Sequence, residues 1–146
     1  MRRILLAYDG SEPARRALDR AVAEARESHG RITVLGVVEM PLDPSVPRNF
    51  GTLDDIGAWE GAAPAVTPDV ADHLNDARDR LKNAGLDAEL TWAAGDPGQV
   101  IAETAGRIGA DVIVLGEHHH GRLASFFGNN TDEEVEEQAG CEVILA

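Results

Sequence analysis

Residues 112–135 read VIVLGEHHHGRLASFFGNNTDEEV. An apolar run, Val112 to Leu115, breaks at Gly116 and passes through a loop carrying glycine and asparagine. It then enters a helix at Thr131, where Glu134 completes a capping box. A strand, a glycine-bearing loop and a helix start in that order let backbone N–H groups converge on an anion at the helix N-terminus. The first turn after Thr131 is Asp132, Glu133 and Glu134, three carboxylates where a bound phosphate would place its own charge. The stretch has the plan of a phosphate cradle partly filled with acid.

The same alternation of strand and helix recurs upstream. Residues 4–8 (ILLAY) form an apolar run ended by Asp9-Gly10-Ser11, after which Ala14, Leu18, Ala21, Val22 and Ala25 recur at helical spacing with Ser11 as N-cap. Residues 32–38 (ITVLGVV) repeat the buried-strand signal. Between Pro41 and Pro68 no period is sustained, and proline and glycine are frequent. Thr67-Pro68 opens a helix with Val70, Leu74, Ala77, Leu81 and Ala84 on one stripe, stopped by Gly85. Residues 88–93 (AELTWA) alternate less cleanly and read as an exposed or edge strand. Asp96-Pro97-Gly98-Gln99 starts a third helix with Val100, Ile101, Thr104, Ala105 and Ile108 on its apolar face. Residues 111–115 (DVIVL) and 141–146 (CEVILA) supply the last two strands.

The order is therefore β-α-β-loop-α-β-α-β-α-β. Nearly continuous apolar strands between amphipathic helices predict an α/β fold: a doubly wound, mainly parallel five-stranded sheet with helices on both faces. Such sheets bind ligands outside the carboxyl ends of their strands, where strand order reverses. That rule brings Asp9, the segment after Val37, and the loop from Gly116 to Asn130 to one crevice.

At 146 residues the chain predicts one domain, 1–146, with a core that needs neither disulfide nor metal. Its net charge of −13 and pI near 4.6 argue against nucleic acid or an anionic membrane surface as partner. Lys82 is the one lysine among 13 basic residues. An acidic surface with arginine in place of lysine fits either a salt-rich cytoplasm or a GC-rich genome. The lone cysteine, Cys141, reads as a small buried hydrophobe. No apolar run has the length of a signal peptide or a membrane span, so the expected compartment is the cytoplasm. No nucleophile elbow, paired-carboxylate arrangement or metalloprotease helix is visible, which favours a binding module over an enzyme.

Several stretches together resemble the universal stress protein family. ILLAYDGSEPARRALDRAVAEA is similar to its opening strand, Asp-Gly-Ser turn and first helix; GDPGQVIAETAGRIGADVIVLG to the stretch ending in Asp-x-Ile-Val-x-Gly; CEVILA to its closing strand. The likeness spans the chain outside roughly 41–68, a region variable in the family. It implies a flavodoxin-like fold, a homodimer paired through the closing strands, and a division between ATP-binding members and members that bind none. The dividing motif is Gly-x2-Gly-x9-Gly-(Ser/Thr). From Gly116 the second glycine falls on His119, and the final pair on Asn129 and Asn130. A one-residue slip aligns Gly128-Asn129 instead, restoring a glycine without the hydroxyl. The base-holding positions correspond to Asp9 and Val37. The resemblance thus implies a ligand-binding set of Ala7, Asp9, Val37, Leu115, Gly116, His119, Gly128, Asn129, Asn130 and Thr131, with ATP and Mg²⁺ as the cofactor pair if the chain is a nucleotide-binding member and no cofactor otherwise.

Each feature also has a plainer reading. Asp9 in a strand-ending Asp-Gly-Ser can simply satisfy its own turn. Gly116 permits close ligand approach or an unusual φ. His118, His119 and His120 could contact phosphate or ligate a metal, but adjacent residues project in different directions and no second ligand cluster accompanies them. Trp59 and Trp92 could stack on a base, or pack. The leading expectation is a stress-response binding module with weak or altered nucleotide affinity. The alternatives are a true ATP-binding member with slow hydrolysis, or a binder of a small molecule that is not a nucleotide.

Overall fold

The computed structural model describes residues 2–39, 50–52, 67–116, 135 and 139–146. Their elements are β1 (Arg3–Ala7), α1 (Glu12–Ser28), β2 (Arg31–Glu39), β3 (Phe50–Thr52), α2 (Thr67–Asn83), β4 (Ala88–Gly95), α3 (Pro97–Ile108), β5 (Val112–Leu115) and β6 (Glu142–Leu145).

The helix starts follow from local chemistry. Ser11 is extended, and its Oγ accepts from the Ala14 N–H at 3.2 Å, while Pro13 occupies the first turn, where a missing N–H costs nothing. Asp96 caps α3 in the same way, accepting from the Gln99 N–H at 3.4 Å with Pro97 behind it. That helix ends where Gly109 turns left-handed at φ 68° and returns its N–H toward the Ala105 and Gly106 carbonyls.

The sheet runs β3-β4-β2-β1-β5-β6. The five expected strands are all parallel to one another; β3, an addition in a stretch without readable period, joins antiparallel to β4 through Phe50↔Ala93 and Thr52↔Thr91. Strand β4 extends two residues beyond the expected 88–93. It is an edge strand of the parallel set only, since β3 flanks it, and Trp92, Ala93 and Ala94 are buried. Trp92 therefore packs.

Alternate residues of each strand feed two cores. Ile4, Leu6 and Tyr8 lie with α1, α2, Val34, Trp92 and Val114 in one. Leu5, Ala7, Leu35, Val37, Ala93, Ile113 and Leu115 lie with Val100, Ile101 and Ala105 of α3 in the other. Period-2 strands covered by helices on both faces produce this division, as the pattern requires. Val135, which is helical and fully buried, joins the second core. The rest of the helix expected from Thr131 lies outside the described residues. Cys141 is half-buried against the second core, and burial, with the Asp111 and Glu142 charges, pushes its thiol above the ordinary value. Such a thiol is a poor nucleophile.

Candidate functional site

Strand β1 is central, with β2 on one side and β5 on the other. The chain leaves β1 toward β2 through α1, and later crosses from β4 to β5 on the opposite side, so strand order reverses beside β1. The carboxyl ends of β1, β2 and β5 therefore frame the crevice expected of this topology.

At the end of β1 the backbone turns sharply. Tyr8 N–H still bonds the Leu35 carbonyl at 3.0 Å, and then Asp9, Gly10 and Ser11 swing into α1. Asp9 is 7% exposed, and its Oδ1 accepts from the Ser11 N–H at 3.0 Å and the Ser11 Oγ at 2.5 Å. The turn reading of Asp9 is thus correct for Oδ1: the aspartate holds the cap, and the cap holds the helix. Ser11 leaves Oδ2 to other donors. Gly10 adopts φ +77°, and a Cβ there would stand 2.7 Å from the ring of His73 on α2. The imidazole packs directly over the turn.

Strand β2 outruns β1. Their paired register ends at Ala7↔Leu35, whereas β2 continues to Glu39, held on its other side by β4 through Val37↔Ala93 and Glu39↔Gly95. The edge of β2 around Val37 thus projects past the point where Asp9 departs. On the other side Leu115 ends β5, its carbonyl taking the Ala146 N–H at 3.0 Å. Ala7, Val37 and Leu115 are each fully buried in the same core.

Gly116 is not explained by an unusual φ, and it has a packing cause that was not expected. Its φ is not positive, and a Cβ would lie 2.5 Å from the Pro13 carbonyl carbon and 2.6 Å from the Pro13 carbonyl oxygen. The first turn of α1 abuts the end of β5, and only a residue without a side chain fits between them.

The structure therefore brings together five of the expected site residues: Ala7, Asp9, Val37, Leu115 and Gly116. His119, Gly128, Asn129, Asn130 and Thr131 lie outside the described residues, as do His118, His120, Asp132, Glu133 and Trp59. Among the described residues no group of three His, Cys, Asp or Glu could hold a metal ion, and no helix is long and apolar enough to cross a membrane.

Tyr8, Asp76 and Arg80 form a linked group that sequence reasoning missed. The Tyr8 hydroxyl donates to Asp76 Oδ2, which also accepts from Arg80 Nε at 3.0 Å. Burial, then the Asp76 hydrogen bond and charge, push the Tyr8 phenol up to about 12. Burial also pushes Asp76 upward, but the bonds from Tyr8 and Arg80 and the Arg80 and Arg15 charges outweigh it, leaving the carboxyl below its usual value. The available signal was Tyr8 itself, a buried aromatic whose hydroxyl requires a partner.

A carboxylate and a projecting strand edge can accept from sugar hydroxyls and pair with a heterocycle. That arrangement defines a class: doubly wound α/β domains that take a ligand at the strand-order reversal. The universal stress protein family model matches residues 1–146, and the chain belongs to that family. It is 26% identical over 159 residues to the stress response protein NhaX of Bacillus subtilis (strain 168), covering 98% of this chain and 96% of that protein. A universal stress protein solved in complex with cAMP superposes with a TM-score of 0.72 at 21% identity, covering 99% of this chain and 96% of that one. The Archaeoglobus fulgidus protein in complex with dAMP gives 0.65 at 21% identity, with 99% and 96% covered. Both structures share the flavodoxin-like fold.

Proposed function

We propose that the chain is a cytoplasmic stress-response binding module that takes an adenine nucleotide in the crevice, gripping the nucleoside half and holding a triphosphate weakly. The observation that carries this reading is the projection of β2 past Ala7↔Leu35 beside Asp9, which leaves a strand edge for the base and a carboxylate for the ribose. The cAMP and dAMP complexes of its structural neighbours support an adenine ligand. The phosphate half departs from the family motif: His119 stands where a glycine would let backbone approach phosphate, and no hydroxyl residue directly follows Gly128. Asp132 and Glu133 add negative charge at the helix start expected from the sequence. At ~4 Å one like-charge pair opposes binding by about 4 kcal/mol at an effective dielectric near 20, and by about 1 in water. Mg²⁺ bridging carboxylates and phosphates would relieve part of this. The module acts as a homodimer joined through β6.

Mass identification of nucleotide released from the denatured protein tests the ligand class. Calorimetry with adenosine, AMP and ATP tests the division of the site: the wild type binds ATP no better than adenosine. The double variant Asp132→Asn, Glu133→Gln strengthens ATP binding more than adenosine binding. Tight ATP binding indifferent to both substitutions would overturn the weak-phosphate reading in favour of a fully competent ATP site.

A further inference from the structure

The negative charge of this chain is unevenly spread. Helices α1 and α2 hold seven of the 13 basic residues and eight of the 26 acidic ones, so they are close to neutral while the remainder carries nearly all the excess. Within this two-helix layer the balance inverts locally. A groove of about 530 Å³ between α1 and α2 is lined, among the described residues, by Arg15, Arg26 and Arg80 against Asp19, with Leu18 and Val22 in its apolar lining; Asp76 pairs with Arg80 behind it, so cations still outnumber acids by three to two. The volume lies in the range of sites for small organic molecules, which typically combine apolar walls with a few directed polar groups.

Two of the three guanidinium groups are anchored. Arg26 reaches from α1 to the Ala84 carbonyl beyond α2 at 2.8 Å, and Arg80 donates Nε to Asp76 at 3.0 Å. Each bond uses one of the five N–H groups a guanidinium carries. All three arginines are exposed at the groove, whereas Leu18 and Val22 are 3% and 8% exposed. Anchored guanidiniums lose less side-chain freedom when they close on an anion, and their planar fork matches phosphate oxygens.

We propose that this groove binds an organic phosphate, its anionic group held by Arg15, Arg26 and Arg80 and its apolar part resting on Leu18 and Val22. The site is independent of the nucleotide reading, because α1 and α2 cover the opposite face of the sheet from Ala7, Val37 and Leu115. A second groove, at the amino ends of β1, β2 and β4, balances Arg3 and Arg31 against Asp87 and Glu89 in its lining and so offers an anion no net attraction.

The test is a ¹H–¹⁵N titration of the full chain, saturated with adenosine, using phenyl phosphate, inorganic phosphate and benzoate as probes. Phenyl phosphate shifts amides of α1 and of the end of α2, and binds more tightly than inorganic phosphate because of the apolar lining. Arg15→Gln and Arg26→Gln each weaken it on the order of tenfold, the loss of one charge-assisted hydrogen bond; Arg15→Gln leaves the melting temperature unchanged, whereas Arg26→Gln also gives up the bond to the Ala84 carbonyl and lowers it slightly. If one variant unfolds, the other carries the measurement. Binding indifferent to both substitutions, or shifts confined to the Asp9 and Gly116 crevice, would overturn the site. Benzoate binding as tightly as phenyl phosphate would overturn the assignment to phosphate.

Discussion

The phenol of Tyr8 donates to Asp76 Oδ2 across 2.5 Å, joining the residue before Asp9 to a carboxylate 68 positions further along the chain. Because the folded state raises the Tyr8 phenol from 10.0 to about 12, the neutral phenol favours folding fully below pH 10, and that contribution is lost as pH rises through about 12. Asp76 has the opposite sign: its lowered carboxyl favours folding above its ordinary 3.8 and loses that contribution as pH falls below it. Tyr8→Phe costs about 1 kcal/mol at neutral pH, since the orphaned carboxylate is half-exposed and keeps Arg80. In urea denaturation the wild type loses stability between pH 10 and 12 more steeply than the variant; parallel profiles would show that the phenol does not titrate as the geometry requires.

Gly116→Ala places a methyl group 2.5 Å from the Pro13 backbone, which cannot move without shifting the start of α1. The expected destabilisation is about 2–3 kcal/mol, in the range of overpacked cores. Gly106→Ala is the contrast, lying in the last turn of α3, exposed, and with no atom within 4 Å of the added Cβ. It stabilises by about 0.5–1 kcal/mol. Chemical denaturation of the two variants reads both signs in one experiment.

Asp9→Asn separates turn from ligand. The asparagine carbonyl can still accept from the Ser11 N–H, so stability falls by about 1 kcal/mol or less, while the loss of charge weakens the acceptor offered to a ribose. Calorimetry is expected to show adenosine affinity reduced on the order of tenfold. Unchanged affinity would remove Asp9 from the binding set.

Strand β6 ends the sheet on the β5 side, with Val143, Ile144 and Leu145 half-buried. An apolar edge of this kind invites a partner strand. Light scattering is expected to report about twice 15.6 kDa. Ile144→Lys, which plants a charge on that edge, shifts the protein toward monomer; a wild type already monomeric at micromolar concentration in every salt would overturn the pairing.

Repulsion among 26 carboxylates opposed by 13 cations weakens as the screening length contracts from about 10 Å at 0.1 M to about 3 Å at 1 M. The melting temperature therefore rises between dilute and molar NaCl if the acidity is an adaptation to salt. A flat or falling response would assign it to genome composition.

What the sequence by itself determined is everything that acts over a few residues. Ser11 and Asp96 cap the next turn, Gly85 stops the second helix, and strands such as ILLAY and VIVL declare their burial by apolar content; these suffice for element order and for a doubly wound sheet. From that order the reversal beside β1 follows, and with it the meeting of Ala7, Asp9, Val37, Leu115 and Gly116. The tertiary structure alone decided the contacts between distant segments. The three residues of β3 carry no period of their own and are strand only because β4 offers an edge. Gly116 is glycine because Pro13 arrives there, and Gly10 is overhung by a histidine from α2. Tyr8 reaches Asp76, and three arginines face one groove, because α1 and α2 pack side by side on one face. Periodicity and capping encode which face of an element is buried, but not which residue of another element will lie against it, since that depends on the spacing and angle at which whole elements dock.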